Sequence, residues 1–120
     1  MNISRKIYEG ADIKVKLNIV AEGFSMIEND FSVKVYTDKN PTGVTLDKRG
    51  TEPSADIPLA NDGSYVILLH SSDIGTGTYY METTAYIPDL DFGTTRIEKD
   101  VKVLCNVEPV PFAELATKYL

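Results

Sequence analysis

The chain has 120 residues, of which 42% are hydrophobic and 25% charged, and its formal net charge is −6. That is the size and composition of one folded domain, too short for two and too apolar for a disordered or collagen-like chain. One His, one Cys and no Trp exclude the usual zinc ligand sets and an internal disulfide, and the acidic balance opposes nucleic-acid binding, which rests on Lys and Arg displacing counterions.

Residues 1–11 read as an N-terminal arm or edge strand carrying Ile3, Ile7 and Tyr8. They hold no apolar run of the kind an export signal requires, so no Sec export is expected. From Asp12 to Val20, Ile13, Val15, Leu17 and Ile19 alternate with polar residues, the period of a strand packed on one face. Phe31 to Tyr36 repeats the pattern, with Phe31, Val33 and Val35 inward, and ends at the polar turn Asp38 to Gly43. Val44–Asp47 and Ala55–Pro58 read as short strands, and Pro53 and Pro58 mark the second as edge or irregular, since proline donates nothing to a ladder.

Asn61-Asp62-Gly63 is a tight-turn signal leading into Ser64–Leu69, a run apolar on both faces and therefore expected at the centre of a sheet. Its longest apolar stretch, Tyr65 to Leu69, is five residues, against about twenty for a membrane span, so no membrane insertion is expected. His70 to Gly77 reads as a connection with one helical turn, N-capped by Ser72 or Asp73. Tyr79–Ile87, β-branched and aromatic, is expected as the longest strand after the first. Pro88 to Gly93 then forms a hairpin loop, followed by Thr94–Ile97, a charged stretch and a last strand, Val101–Val107. Cys105 shares the parity of Val101, Val103 and Val107, which predicts that all four face the core. Beyond Pro111, Phe112, Leu115, Ala116 and Tyr119 are spaced for one short amphipathic helix, which needs a partner surface to be stable.

The division is therefore an arm (1–11), one sandwich (12–108), and a linker with a short C-terminal helix (109–120). The expected fold is all-β, an immunoglobulin-like antiparallel β-sandwich of about seven strands.

Candidates for chemistry are few. A Cys105–His70 nucleophilic pair is arithmetically possible, but a buried structural Cys is the plainer reading. Asp89 and Asp91 beside Phe92-Gly93, or Asp38, Asn40 and Asp47, lack the alternating ladder of a dedicated calcium loop. Tyr8, Tyr36, Tyr79, Tyr80 and Tyr86 could form a sugar-stacking platform, or be structural. No Gly-x-Ser-x-Gly elbow and no phosphate-cradling glycine loop occurs. The expectation is no enzyme, no cofactor and no metal.

The segment Leu69-(x)7-Gly77-Thr78-Tyr79-Tyr80-Met81-(x)3-Ala85 resembles the late strands of immunoglobulin-like and fibronectin type III domains. The resemblance implies a tyrosine corner at Tyr79, with Tyr80 the second choice and Met81 in an inward place often held by Cys. A narrower resemblance spans roughly Ile7 to Val107. Tyr8-Glu9-Gly10-Ala11-Asp12, the alternating first strand, Asn61-Asp62-Gly63-Ser64-Tyr65, Gly77-Thr78-Tyr79-Tyr80 and the closing Lys102-Val103 are similar to the small immunoglobulin-like modules of tailed-phage virions. The nearest layout is the N-terminal domain of baseplate upper proteins. No fibre or receptor-binding domain follows within these residues, so the resemblance implies a small tail- or head-associated subunit with no catalytic residues. It would be assembled in the bacterial cytoplasm and would bind other virion proteins and copies of itself. Sheet edges and the two terminal arms, with Ile3, Ile7, Tyr8, Phe112, Leu115, Ala116 and Tyr119, are the expected contact regions. The competing reading is a small carbohydrate- or surface-binding module of a bacterial surface protein.

Overall fold

The computed structural model describes residues 6–111. Its strands are β1 (Ile7–Tyr8), β2 (Asp12–Lys16), β3 (Phe31–Tyr36), β4 (Val44–Lys48), β5 (Val66–His70), β6 (Gly77–Pro88) and β7 (Thr95–Glu108), with one α-helical turn, α1 (Ser71–Ile74), and one 3₁₀ turn (Leu90–Phe92). Five strands form a mixed sheet in the order β1-β7-β6-β3-β4, and β2 and β5 form a second sheet. The fold is all-β, and its two sheets share one core.

That core follows from period-two burial. On β3, Phe31, Val33 and Val35 are fully buried and alternate with half-buried Ser32, Lys34 and Tyr36. From the same sheet come Tyr79, Met81 and Val107, and from across the gap Leu17, Tyr65, Ile67 and Leu69. Each fully buried aliphatic or aromatic side chain contributes roughly 1.5–3 kcal/mol. Phe31 meets Tyr65 edge-on with ring centroids 5.7 Å apart, which joins the two sheets at one end.

Several local expectations change in the assembled fold. The first strand ends at Lys16, not Val20. Leu17 makes the last link, its N–H donating to the Tyr65 carbonyl at 2.9 Å, and the chain then turns away from the ladder. Ser64–Leu69 is not central. Among the described residues its regular part, β5, pairs along its length with β2 alone, and Leu68 is half-exposed. Among the described residues the far edge of β5 meets Pro58 and Leu59, through Val66 N–H to the Pro58 carbonyl and a bridge between Leu59 and Tyr65. Ala55–Pro58 accordingly forms bends and no strand. The helical turn starts at Ser71, so neither Ser72 nor Asp73 caps it, and His70 stands at the cap position without a side-chain bond. Ser71 is buried there because its hydroxyl accepts the Gly10 N–H at 2.8 Å.

The antiparallel expectation fails at one edge. β1 runs parallel to β7, with Ile7 opposite Val107 and Tyr8 opposite Glu108. Thr94–Ile97, the charged stretch and Val101–Val107 are not separate pieces, for Thr95 to Glu108 is one continuous strand, longer than β6 and longer than the first. β6 and β7 pair from Gly77↔Val107 to Pro88↔Thr95. One irregularity interrupts them: Tyr79 faces Cys105 but Tyr80 faces Val103, which leaves Leu104 as the extra residue of a β-bulge.

Candidate functional site

Tyr79 lies on β6 directly after the α1 turn, fully buried. Its hydroxyl lies within hydrogen-bond distance of two main-chain carbonyls of the preceding connection, Gly75 O at 2.5 Å and Ser71 O at 3.2 Å. Burial pushes its pKa up to about 12, so the hydroxyl keeps its proton to donate. Met81 is buried on the same face, while Tyr80 faces outward against Tyr36.

Cys105, opposite Tyr79, is half-buried, and burial pushes its thiol pKa up, which disfavours the reactive thiolate. Its sole possible histidine partner is engaged elsewhere, for His70 Nδ1 lies 2.7 Å from Asp12 Oδ1 across the β2–β5 ladder. That carboxylate raises the His70 pKa above 6.5, chiefly by hydrogen bonding and then by charge. A raised folded value means the pair's contribution to stability is complete below pH 6.5 and is lost as pH rises through the folded value. NMR titration of His70 is therefore expected to give a midpoint above 6.5 that returns towards it in Asp12→Asn. The stability difference between the two proteins should shrink as the pH rises; a His70 midpoint unmoved by Asp12→Asn would contradict this.

Asp89 is committed to structure. One carboxylate oxygen accepts the Asp91 N–H at 3.0 Å and the other meets Arg96 Nε at 3.0 Å. Among the described residues no group of three or more His, Cys, Asp or Glu side chains is placed to hold a metal ion. Asn40 is committed to structure, its Nδ2 donating to the Ile74 carbonyl of the α1 turn at 3.0 Å and its Oδ1 accepting the Gly43 N–H of its own loop at 3.2 Å. One open cleft of about 310 Å³, lined by Val44, Leu46, Leu68, His70, Asp56 and Asp73 among others, runs between β4 and β5. It has carboxylates and an imidazole but no hydroxyl or thiol nucleophile in its lining.

The surface with the most distinctive chemistry is the outer side of β6–β7. The bulge at Leu104 reverses the expected parity of the last strand. Cys105 and Val107 face inward, but Val103 and Val101 sit opposite Tyr80 and Glu82 on the outer face. They are 64% and 51% exposed, and Ile97 on the same face is 56% exposed. The expectation that Val101 and Val103 belong to the core is thus overturned. Around them, Tyr36 and Tyr80 pack with ring centroids 5.6 Å apart, and Lys99 Nζ donates to Glu82 Oε1 at 2.9 Å. The free side of β7 is paired by β1 only at Val107 and Glu108, so among the described residues the edge from Thr95 to Asn106 has no strand beside it. The run Glu98-Lys99-Asp100, read as a break between strands, has neither Pro nor Gly to stop one. That absence was the sequence signal for one long strand.

Of the expected contact residues, Ile7 and Tyr8 form β1, and Ile7 packs partly buried against the core, so this part of the arm is an edge strand. Ile3, Phe112, Leu115, Ala116 and Tyr119 lie outside the described residues. The chain matches no protein-family model, and no curated protein is similar to it in sequence.

Proposed function

We propose that the chain is a non-enzymatic structural subunit of a tailed-phage or prophage particle, an immunoglobulin-like sandwich that acts by binding protein neighbours. The observation that carries the interaction reading is the β6–β7 hairpin, which couples an open strand edge to an outer face bearing exposed Ile97, Val101 and Val103. Unpaired edges and contiguous apolar surface are what protein contacts use. The Tyr79 hydroxyl aimed at the Ser71 and Gly75 carbonyls supports the immunoglobulin-like part, and the similarity of its motifs to virion modules supports the particle.

The expected result is that the tagged chain co-purifies with assembled particles from an induced host, and that a variant carrying Val101→Glu and Val103→Glu stays folded but is lost from them. Particles that form without the chain aboard would overturn the reading. The outer-face pair of Tyr36 and Tyr80 favours a second reading, a carbohydrate- or surface-binding module. Saturable binding to a glycan array that Tyr80→Ala abolishes would select it over the first.

A further inference from the structure

The open edge of β7 carries alternating charges that its own sheet leaves without partners. Asp100 and Lys102 are exposed and make no ion pair among the described residues. Such edge charges ordinarily repel an incoming strand. Which strand they accept is decided by what lies opposite them.

In an antiparallel pair, directly opposed residues share a face and a hydrogen-bonding class. Two identical strands can therefore pair only about a two-fold axis that passes through a residue. Centred on Lys99, β7 sets Glu98 against Asp100, Arg96 against Lys102, and Lys99 against itself. Centred on Glu98, Asp100 or Lys102, it sets that charge against its own copy, and centred on Ile97 it opposes Arg96 to Glu98, two groups already paired with each other within one chain, where Asp89 also holds Arg96. Centred on Val103, it forms no unlike pair and brings Lys99 to Val107, where β1 already lies. Centred on Val101, it opposes Asp100 to Lys102 twice by symmetry, Val101 to Val101, and Lys99 to Val103, with no like charges facing. Lys99 is already neutralised by Glu82 of its own chain. The five residues Lys99 to Val103 lie inside the free span and before the bulge at Leu104.

We propose that the partner of this edge is a second copy of the chain, joined through antiparallel β7–β7 pairing centred on Val101 with reciprocal Asp100–Lys102 contacts. The two five-stranded sheets become one, and Val101 and Val103 of both copies form a single apolar stripe on its outer face. The inference deepens the protein-binding reading above and rests on it, naming the partner; the charges act as its specificity device.

Sedimentation equilibrium of the full chain over a concentration series tests it. The wild type is expected to form dimers. Lys102→Asp and Asp100→Lys, each placing like charges in both contacts, should weaken dimerisation about tenfold or more, with unchanged circular dichroism. An equimolar mixture of the two variants restores both unlike contacts and should recover the dimer. A monomeric wild type, single variants that dimerise as well as wild type, or a mixture that stays monomeric would each overturn the proposal. So would dimerisation that occurs only after deletion of residues 1–5, since the chain's own arm would then occupy the edge. If the wild type is monomeric yet is incorporated into particles, the second-copy inference fails while the protein-binding reading stands. Dimers that never enter particles leave the inference standing and overturn the particle.

Discussion

Gly43→Ala is expected to lower the melting temperature of the domain by about 12 °C or more, from a loss of about 3 kcal/mol at 4–8 °C per kcal/mol. Gly43 closes the loop between β3 and β4, immediately before Val44, the last residue paired with β3. Its φ of +52° is accessible to other residues at modest cost, so the angle is not the main obstacle. The obstacle is space. A Cβ at this position would collide with the Val35 carbonyl oxygen and would stand 2.8 Å from Tyr36 Cα, both of them backbone atoms of the adjacent strand. Neither can swing aside as a flexible side chain would, and Val35 is fully buried in the core. The relief is to move β4 away from β3, which opens the hairpin. Gly63→Ala is the matched control. It has a φ of +86° but nothing within 4 Å of an added Cβ, so only the conformational cost of about 1 kcal/mol remains. Thermal melts followed by circular dichroism check the pair, and equal losses at the two positions would refute the steric account.

Lys48→Met is expected to cost about 2–4 kcal/mol in urea denaturation. Lys48 is the third inward residue of β4 after Val44 and Leu46, and it is fully buried. Its ammonium donates to the carbonyls of Met26 at 2.7 Å, Ile27 at 2.9 Å and Asn29 at 2.7 Å. It also lies 5.4 Å from the Phe31 ring centroid and 5.8 Å from that of Tyr65. Three acceptors match the three N–H groups of a protonated amine, and a neutral amine would present a lone pair to one of them. Burial pushes the Lys48 pKa down, and the nearby Asp30 charge opposes that. Methionine keeps most of the stem volume, which isolates the loss of the donors. The gross loss is three charge-assisted bonds, reduced by relief from burying the ammonium and by water reaching the carbonyl of the exposed Ile27. The loss still wins, because no other group satisfies these three carbonyls among the described residues, and the turn's other hydrogen bonds, such as Asn29 N–H to the Ser25 carbonyl at 2.8 Å, leave them free. Lys34→Met, on the outer face of β3, should change stability by no more than about 0.5 kcal/mol. Equal effects at the two lysines would show that the ammonium clasp contributes nothing.

The proposed β7–β7 pairing would use a surface made by one local defect, for the bulge at Leu104 turns Val101 and Val103 away from the core and sets them beside the open edge.

The elements legible in the sequence are those whose cause is local. Phe31, Val33 and Val35 alternate with polar neighbours, and a strand with one buried face satisfies that pattern wherever the sheet lies. Asn61-Asp62-Gly63 makes its reversal with residues that tolerate it, and Gly63 takes the positive φ. Tyr79 was singled out through the resemblance of its motif, and the carbonyls its hydroxyl meets, Ser71 and Gly75, are only eight and four residues away. What only the tertiary structure decided depends on partners distant in the chain. β5 is apolar on both faces, as a central strand would be, yet among the described residues it pairs with β2 alone in a two-stranded sheet. The inward parity of Lys48 is readable from Val44 and Leu46, but the three carbonyls that accept its protons come from 19 to 22 residues earlier, and no periodicity encodes them. The bulge at Leu104 exists only in the register of β7 against β6, so the exposure of Val101 and Val103 appears only once the two strands are paired. Hydrophobic alternation states that a strand has two faces; packing against the rest of the chain determines which face meets water.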